Sequence, residues 1–191
     1  MSRLPDEYFH AMYARDPDPW GLASRWYERR KYALTAASLP AQRYRSAFEP
    51  GCSIGVLTRL LAERCDRLLA TDVAEAALAQ ASARTADLPH VTVERRAVPD
   101  DWPSGTFDLV VLSEVGYYQR PPGLDRLLRR AVAALRTGGH LLAVHWRPFV
   151  ADYPLTGDQV HAALADRAEL GGLVRHVEER FVLEVFERSG S

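Results

Sequence analysis

The sequence has little cysteine and no long apolar run. Only Cys52 and Cys65 are present, and no further cysteine or histidine lies near them at metal-ligand spacing. This excludes a disulfide framework and predicts reduced thiols, no metal site and a cytoplasmic location. No segment approaches about 18 consecutive apolar residues, and the start of the chain, with Pro5, Asp6 and Glu7, does not resemble a signal peptide. We therefore expect a soluble, unprocessed protein that does not enter a membrane.

The sequence also has no excess of charge of either sign. Lys and Arg total 24 against 25 Asp and Glu, so no field over the whole molecule attracts nucleic acid or an anionic membrane. This balance favours a small-molecule substrate and no nucleic-acid partner. The sequence does not indicate an oligomeric state. A chain of 191 residues suits one well-buried α/β domain better than two domains.

From about Tyr44 onward, short apolar runs alternate with helical patterns, which is typical of βαβ units around a mostly parallel sheet. Two extended runs follow Gly171-Gly172 and predict an antiparallel hairpin. The expected fold is a single Rossmann-like α/β domain with a seven-stranded, mostly parallel sheet and helices on both faces. The predicted strands lie near residues 44–49, 67–72, 90–95, 107–112, 139–146, 173–178 and 181–187.

Four helices are predicted between these strands. Leu57, Leu60 and Leu61 fit one helix face, residues 74–83 form an alanine-rich helix, and Leu124 to Leu135 follows the 3.6-residue period. The pair Gly138-Gly139 should end that third helix. Thr156, with Gln159 three positions on, can cap a helix running to about Ala168.

The segment Glu49 to Gly55 reads Glu-Pro-Gly-Cys-Ser-Ile-Gly at the end of the first predicted strand, and Asp72 closes the second. A glycine-bearing turn followed about 20 positions on by an acid predicts a nucleoside cofactor site. A dinucleotide fingerprint needs three glycines, but only Gly51 and Gly55 are present. Glu49 would repel a diphosphate and would attract the ammonium and sulfonium of S-adenosylmethionine.

This segment resembles the first motif of class I S-adenosylmethionine-dependent methyltransferases, Glu/Asp-x-Gly-x-Gly-x-Gly, with Ser53 in place of the middle glycine. That serine is typical of the nodulation protein S-like (NodS-like) branch, so the departure supports the branch. The similarity to this branch covers nearly the whole chain. Besides Glu49 to Gly55, its motifs are Asp18 to Trp20, Trp26 to Tyr32, Asp100 to Pro103, Ser113 to Tyr118, His145 to Pro148 and Asp152 to Gly157.

The resemblance implies S-adenosylmethionine as cofactor, S-adenosylhomocysteine as product, and a set of cofactor-binding residues. The family commonly has an acidic residue for the adenine amine where this chain has Ala97, so the Val98 backbone, near Asp100 or Trp102, is the expected contact. The implied set comprises Glu49 and Gly51 at the methionine amine, Ser53 and Gly55 in the turn, Asp72 at the ribose, Val73 and Val98 at the adenine, and Ser113 after the fourth strand.

Residues 1–43 are interpreted as a helical lid segment on the domain formed by residues 44–191. A helix is predicted from about Ser24 to Leu39, following a stretch rich in aromatic and basic residues. Trp20, Tyr27 and Lys31 could cover the cofactor with the cation near its carboxylate. Alternatively, they belong to an amphipathic helix that packs on the sheet. Nucleic-acid binding is the weaker third alternative, because these cations are local.

Three residues are candidates for catalysis. Glu114 follows the central strand at its carboxyl end, where open α/β sheets bind ligands, but such a residue can also cap the strand. Tyr117 and Tyr118 are adjacent and cannot both face one site, so at least one of them is packing; Tyr117 is the candidate. His145 ends the fifth strand and could accept a proton from an acceptor amine or hydroxyl, although a lone histidine is more often structural.

The NodS-like resemblance implies N-methylation of an amino sugar, such as the free terminal amine of a deacetylated chitooligosaccharide. The chain lacks the Asn/Asp-Pro-Pro-Tyr/Phe motif that resembles nucleobase-amine methyltransferases, since residues 113–116 read Ser-Glu-Val-Gly. Two alternatives remain open at this point: a small-metabolite O-methyltransferase, and a module that binds S-adenosylmethionine without transferring its methyl group.

Overall fold

A computed structural model describes residues 3–190 of the chain. The described residues divide into two compact units, residues 5–97 and residues 98–190 with residues 3 and 4. Residues 5–43 of the predicted lid segment thus group with the first three strands. Seven elements form the first unit: α1 (Asp6–Arg15), α2 (Trp26–Ala37), β1 (Ala47–Pro50), α3 (Val56–Ala62), β2 (Leu68–Asp72), α4 (Glu75–Arg84) and β3 (Val91–Arg95).

The first unit is a βαβαβ arrangement. Its strands are parallel in the order β3-β2-β1, and Leu68 of β2 lies opposite both Ala47 of β1 and Val91 of β3. All four residues of β1 are buried, as expected of a strand covered on two faces. Parallel strands end at the same edge, so the carboxyl ends of β1 and β2 bring Pro50 and Asp72 to neighbouring positions.

The second unit carries the other four strands. Its elements are β4 (Phe107–Ser113), a 3₁₀ helix (Gly116–Tyr118), α5 (Pro121–Ala134), β5 (Leu135–Trp146), α6 (Gly157–Ala165), β6 (Leu170–Val177) and β7 (Phe181–Arg188). Here β4 and β5 are parallel, whereas β7 runs antiparallel to both β5 and β6, in the order β4-β5-β7-β6. The predicted fold class, a seven-stranded and mostly parallel α/β sheet with a C-terminal antiparallel hairpin, is confirmed.

All five predicted helices are present, and their boundaries follow local chemistry. The apolar positions of α5 are buried at helical spacing, including Leu124, Leu127 and Leu128. Thr156 caps α6 through a complete capping box with Gln159. The helix ends at Ala165, three residues earlier than predicted.

The prediction for Gly138-Gly139 was wrong. Helix α5 ends at Ala134, and β5 begins immediately at Leu135, so both glycines lie inside the strand. The pairing of β5 with β4 shifts register here, from Phe107 opposite Leu135 to Leu109 opposite His140. Gly138 has a φ of 73°, so the two glycines permit a bulge rather than a helix stop.

In residues 3–190, no helix combines the length and the apolar character needed to cross a membrane.

We expect Gly55→Ala to lower the free energy of unfolding by about 3 kcal/mol. Gly55 has a φ of 76°, and a Cβ atom there would lie 2.9 Å from the Cα of Ala81 on α4. Gly138→Ala is the matched control, because its φ is 73° with nothing within 4 Å of the added Cβ. The control should cost only the left-handed backbone strain, about 1 kcal/mol. Equal losses for the two variants in urea unfolding would contradict the close packing of α4 on the turn.

Candidate functional site

The turn after β1, residues 51–55, is bent by three alternate residues in the left-handed region. The φ angles are 73° at Gly51, 52° at Ser53 and 76° at Gly55. Glycine adopts this region freely, whereas serine there is strained. Ser53 therefore has the backbone conformation that glycine usually supplies at this position of the family motif. The turn keeps its shape despite the substitution.

Asp72, at the end of β2, is bonded to this turn. One carboxylate oxygen accepts from the Ser53 N–H at 2.9 Å, and the other accepts from the Ala74 N–H at 2.9 Å. Burial raises the pKa of Asp72, while the N–H donors of Ala74 and Ser53 act in the opposite direction. The carboxylate is thus fixed beside the turn, and each oxygen has a second lone pair with which it can accept from a ribose hydroxyl.

Sequence reasoning missed Tyr13, which belongs to the same cluster. The hydroxyl of Tyr13, on α1, is hydrogen-bonded to the Ser53 hydroxyl. Burial is the main cause that raises the pKa of Tyr13, and the nearby Asp72 adds to it. The Trp20 ring packs edge-on against Tyr13, with 5.5 Å between ring centroids. The hydrogen bond between Tyr13 and Ser53 joins residues 40 positions apart, so no spacing in the sequence indicates it.

Val73 is also in contact with the N-terminal segment. Its carbonyl oxygen lies 3.1 Å from Nε2 of His10, which is exposed on α1. Gln80, on α4, donates to the carbonyl of Pro17 at 2.8 Å. In the predicted lid segment, α1 and the residues after it therefore contact the residue after β2 and helix α4.

Glu49 lies at the buried end of β1. Its side chain is only 1% exposed, and Oε2 has no hydrogen-bond partner among the described residues. Burial raises its pKa to about 8, with Thr58 of α3 acting in the opposite direction. The Thr58 hydroxyl is near but does not form a geometrically sound hydrogen bond. A buried carboxyl in this state would gain from a cationic neighbour such as the ammonium of the cofactor.

We expect Glu49 to make the stability of the ligand-free protein depend on pH. The folded protein holds this proton to about pH 8, against a normal pKa of 4.5. Its contribution is fully present below about pH 4.5 and is lost by about 1.4 kcal/mol per pH unit as the pH rises toward 8. Glu49→Gln should therefore gain stability relative to the wild type between pH 5 and pH 8 in urea unfolding. Parallel pH profiles of Glu49→Gln and the wild type would refute the raised pKa of Glu49. Glu63→Gln, which removes an exposed carboxyl after α3, is the control for a charge change outside the core.

Two alternatives were predicted for Lys31 of α2, contact with the cofactor carboxylate or packing within the protein. Lys31 is 2% exposed and lies 2.8 Å from the carboxylate of Glu28, one helical turn earlier. Its ammonium also lies over the rings of Tyr27 and Tyr32, at 5.4 and 5.6 Å from their centroids. These contacts favour the packing alternative for Tyr27 and Lys31. Trp20, through Tyr13, remains next to the turn after β1.

In the second unit, the turn after β4 is built around Glu114. This residue has a φ of 56°, an uncommon conformation for glutamate. Its Oε2 accepts from the Tyr117 hydroxyl at 2.5 Å and from the Trp146 N–H at 2.8 Å. Ser113, immediately before it, is buried at the end of β4. Strain held by two hydrogen bonds is typical of functional positions.

Tyr117 supports Glu114 and does not itself have the properties of a base. Its ring is 4% exposed and stacks on Tyr153, with 4.9 Å between centroids, while Tyr118 packs edge-on against both. Burial, with the nearby Glu114 charge, raises the pKa of Tyr117 well above its usual value. The hydroxyl therefore stays protonated and donates to Glu114.

The predicted role of His145 as a base conflicts with its surroundings. The side chain is fully buried, Nε2 accepts from the Gly116 N–H at 3.0 Å, and Nδ1 lies 3.1 Å from Nε2 of His161. Both ring nitrogens are therefore engaged within the protein. We do not carry His145 forward as the residue that deprotonates an acceptor.

The residues predicted to lie near the adenine differ in their exposure to solvent. Val98 is 8% exposed, and Trp102 is half-buried. Asp100 is exposed and lies 3.5 Å from Arg126 of α5. The contact of adenine with the Val98 backbone stays a prediction. Within residues 3–190, no group of three or more His, Cys, Asp or Glu side chains could hold a metal ion.

The seven-stranded sheet with its antiparallel hairpin, and the strained turn bonded to the acid at the next strand end, together define the class I methyltransferase fold. Residues 9–150 match the family model described as Nodulation protein S (NodS). The chain belongs to the nodulation protein S family.

Curated relatives agree with this family. The nodulation protein S of Bradyrhizobium diazoefficiens is 34% identical over 104 residues, which are 54% of this chain and 50% of that protein. The nodulation protein S of Rhizobium tropici is 32% identical over 131 residues, 65% of this chain and 53% of that protein. The matched region thus spans about half the length of these curated relatives.

Two solved structures are similar over most of the chain. A Pseudomonas syringae protein described as a candidate methyltransferase is 48% identical, with a TM-score of 0.77 over 86% of this chain and 100% of that one. The N-methyltransferase NodS from Bradyrhizobium japonicum WM9, in complex with S-adenosylhomocysteine, is 25% identical. Its TM-score is 0.83, and the match covers 95% of this chain and 97% of that one.

Proposed function

We propose that this protein transfers the methyl group of S-adenosylmethionine to the amine of a small molecule, and that the acceptor is an amino sugar or the free amine of a deacetylated oligosaccharide. The observation that carries the proposal is the turn after β1, where Asp72 is bonded to the left-handed Ser53. The family and the S-adenosylhomocysteine complex of a NodS relative support the same cofactor.

The residues of the first unit fit S-adenosylmethionine better than a dinucleotide. Glu49 offers a buried carboxyl, and Asp72 offers a fixed carboxylate. Neither would stabilise a pyrophosphate, whereas the first suits an ammonium and the second a ribose diol. In this proposal Gly51, Ser53 and Gly55 shape the turn, Trp20 lies beside it through Tyr13, and Val73 and Val98 flank the adenine.

The residues of the second unit favour an amine acceptor. Methyl transfer from a sulfonium needs an acceptor lone pair in line with the methyl and sulfur, so positioning supplies most of the rate enhancement. An ammonium must first lose a proton, and a fixed carboxylate can hold the ammonium and then take that proton. Glu114, held by Tyr117 and Trp146, is the residue to which we assign this role.

The experiment is transfer of a tritiated methyl group to matched acceptors. Chitooligosaccharides with a free terminal amine, the same compounds fully N-acetylated, and a panel of small phenols would be compared at equal concentration. Label in the free-amine compounds alone is expected. Label in the phenols alone would overturn the proposal in favour of a small-metabolite O-methyltransferase.

The third outcome is a protein that binds S-adenosylmethionine and labels nothing across an amine and hydroxyl panel. That result would support the non-catalytic binding module, which Ala97 in place of the usual acid motivates. The proposed location is the cytoplasm, where cofactor and acceptor would meet, and the proposed partner is the small-molecule substrate.

A further inference from the structure

A line of four hydrogen-bonded groups runs from the turn after β4 to the hairpin. The Gly116 N–H donates to Nε2 of His145, Nδ1 of His145 lies 3.1 Å from Nε2 of His161, and Nδ1 of His161 lies 2.6 Å from Oε2 of Glu184. The second carboxylate oxygen of Glu184 lies 3.1 Å from Nε of Arg175. We name this line, Gly116-His145-His161-Glu184, the histidine tether. Both of its histidines are buried.

The Gly116 N–H determines which ring nitrogen of each histidine carries the hydrogen. A backbone N–H can only donate, so Nε2 of His145 must accept and its hydrogen must be on Nδ1. That hydrogen then donates to Nε2 of His161, whose own hydrogen is on Nδ1 and donates to the Glu184 carboxylate. Both imidazoles are therefore neutral, each with one donor and one acceptor in use.

In this arrangement neither histidine has a ring nitrogen left to accept an added proton without losing a hydrogen bond. If Nε2 of His161 were protonated, it would oppose the Nδ1–H of His145, and this clash is relieved either by separation of the two rings or by transfer of the His145 hydrogen to Nε2. That transfer would set two donors, His145 and Gly116, against each other. Protonation of either ring therefore breaks the bond between the two histidines or the bond to the Gly116 N–H.

The turn at Gly116 packs against both α6 and the His145 ring. A Cβ atom at Gly116 would lie 2.5 Å from Val160 of α6 and 3.0 Å from Nε2 of His145, so the turn is pressed closely against both. Gly116 begins the 3₁₀ helix that carries Tyr117, and Tyr117 holds Glu114. The Tyr117 ring also packs edge-on against the His145 ring, at 5.3 Å between centroids.

We propose that His161 and Glu184 are positioning residues that act through His145 to hold Glu114 and Tyr117 in place, and that acid releases this hold. The catalytic consequence rests on the proposed function, whereas the tether itself does not. The charged and titratable groups near it in residues 3–190 include Glu184 from β7, Arg175 from β6, and Tyr117 and Glu114 from the turn after β4.

The test compares four variants of the whole protein. His161→Leu and Glu184→Leu remove a member of the tether, while Glu184→Gln keeps an acceptor for the Nδ1–H of His161. His176→Leu is the matched control, because His176 on β6 forms a similar bond of 2.8 Å to Glu178 outside the tether. Unfolding in urea identifies any variant that is not folded before the other measurements are interpreted.

The first measurement is the amide NMR signal of Gly116, together with the imidazole nitrogen signals, as a function of pH. We expect both histidines as Nδ1–H tautomers at pH 8, and a Gly116 amide signal that shifts on acidification and in His161→Leu. Glu184→Gln and His176→Leu should leave the Gly116 signal at its wild-type position at pH 8. An unchanged signal in folded His161→Leu, or Nε2–H tautomers at pH 8, would overturn the tether.

The second measurement is the methyl-transfer rate with the acceptor that the tritium assay identifies. We expect kcat to fall about tenfold in His161→Leu and Glu184→Leu while KM for S-adenosylmethionine stays the same, since small misplacements in a reacting site have such effects. Glu184→Gln should restore most of kcat, and His176→Leu should match the wild type. Unchanged kcat in the Leu variants would overturn the positioning role. If no acceptor were labelled at all, the proposed function would fail, and the NMR result would still decide on the tether.

Discussion

Replacing Asp72 by asparagine is expected to weaken the binding of S-adenosylhomocysteine by at least about 100-fold. Asparagine removes one of the two oxygens that would accept from the ribose hydroxyls and also the negative charge that strengthens the other bond, a loss of about 3 kcal/mol, which corresponds to that factor. The side-chain NH2 group of asparagine would also face either the Ser53 N–H or the Ala74 N–H. Both of these groups are donors, so one backbone hydrogen bond is lost. The turn after β1 therefore loses an internal bond in addition to the ribose contact.

Isothermal titration calorimetry measures this loss directly. Asp87→Asn is the control, because Asp87 lies in the same unit and forms an exposed two-pronged ion pair with Arg59, at 2.7 and 2.9 Å. The control should bind S-adenosylhomocysteine as the wild type does. Wild-type affinity in folded Asp72→Asn would remove the ribose assignment.

The second large effect is expected at Glu114. Glu114→Gln keeps an oxygen that accepts from Tyr117 and from the Trp146 N–H, so the turn after β4 should retain its shape. The amide cannot accept the proton of an ammonium group. We therefore expect kcat for an amine acceptor to fall by about 100-fold, the usual scale for a lost acid or base.

Calorimetry separates this effect from cofactor binding. The affinity of Glu114→Gln for S-adenosylhomocysteine should equal that of the wild type, because the loss lies in the transfer step. Glu187→Gln, a half-exposed carboxylate on β7 near His140, is the control and should retain full kcat. A folded Glu114→Gln with full kcat would show that its carboxylate takes no part in proton removal.

The fold could be predicted from the sequence because its signals are local. The four buried residues of β1, the 3.6-residue period of α5 and the Thr156 capping box each depend on nearby residues. The bulge at Gly138 could not be predicted, since a pair of glycines after a helix reads the same as a helix stop. Only the pairing with β4 distinguishes the two.

The candidate site likewise has one part that could be predicted from the sequence and one part that could not. The cofactor-binding roles of Glu49 to Gly55 and of Asp72 could be predicted because the residue types and their spacing in the sequence are typical of such a site. The contact of Tyr13 with Ser53 joins residues far apart in the sequence, so no spacing indicates it. The contact of His145 with His161 could not be predicted for the same reason, because His161 lies on another element, 16 positions later.

The position of Ser53 shows what the structure adds to a motif. In the sequence, the serine is a departure that the family resemblance alone explains. In the structure, it has a φ of 52°, donates its N–H to Asp72 and bonds through its hydroxyl to Tyr13. These two bonds offset the strain that a glycine would avoid.

The measurement that tests the central claim most directly is mass spectrometry of an amino-sugar acceptor after incubation with the protein and S-adenosylmethionine. The acceptor is a chitooligosaccharide with one free terminal amine, and fragmentation locates any added methyl group. We predict a single methyl group on the amine nitrogen with the wild type and a strongly reduced yield with Glu114→Gln. A methyl group on a hydroxyl oxygen, or an unmodified oligosaccharide beside a methylated acceptor of another class, would contradict the account.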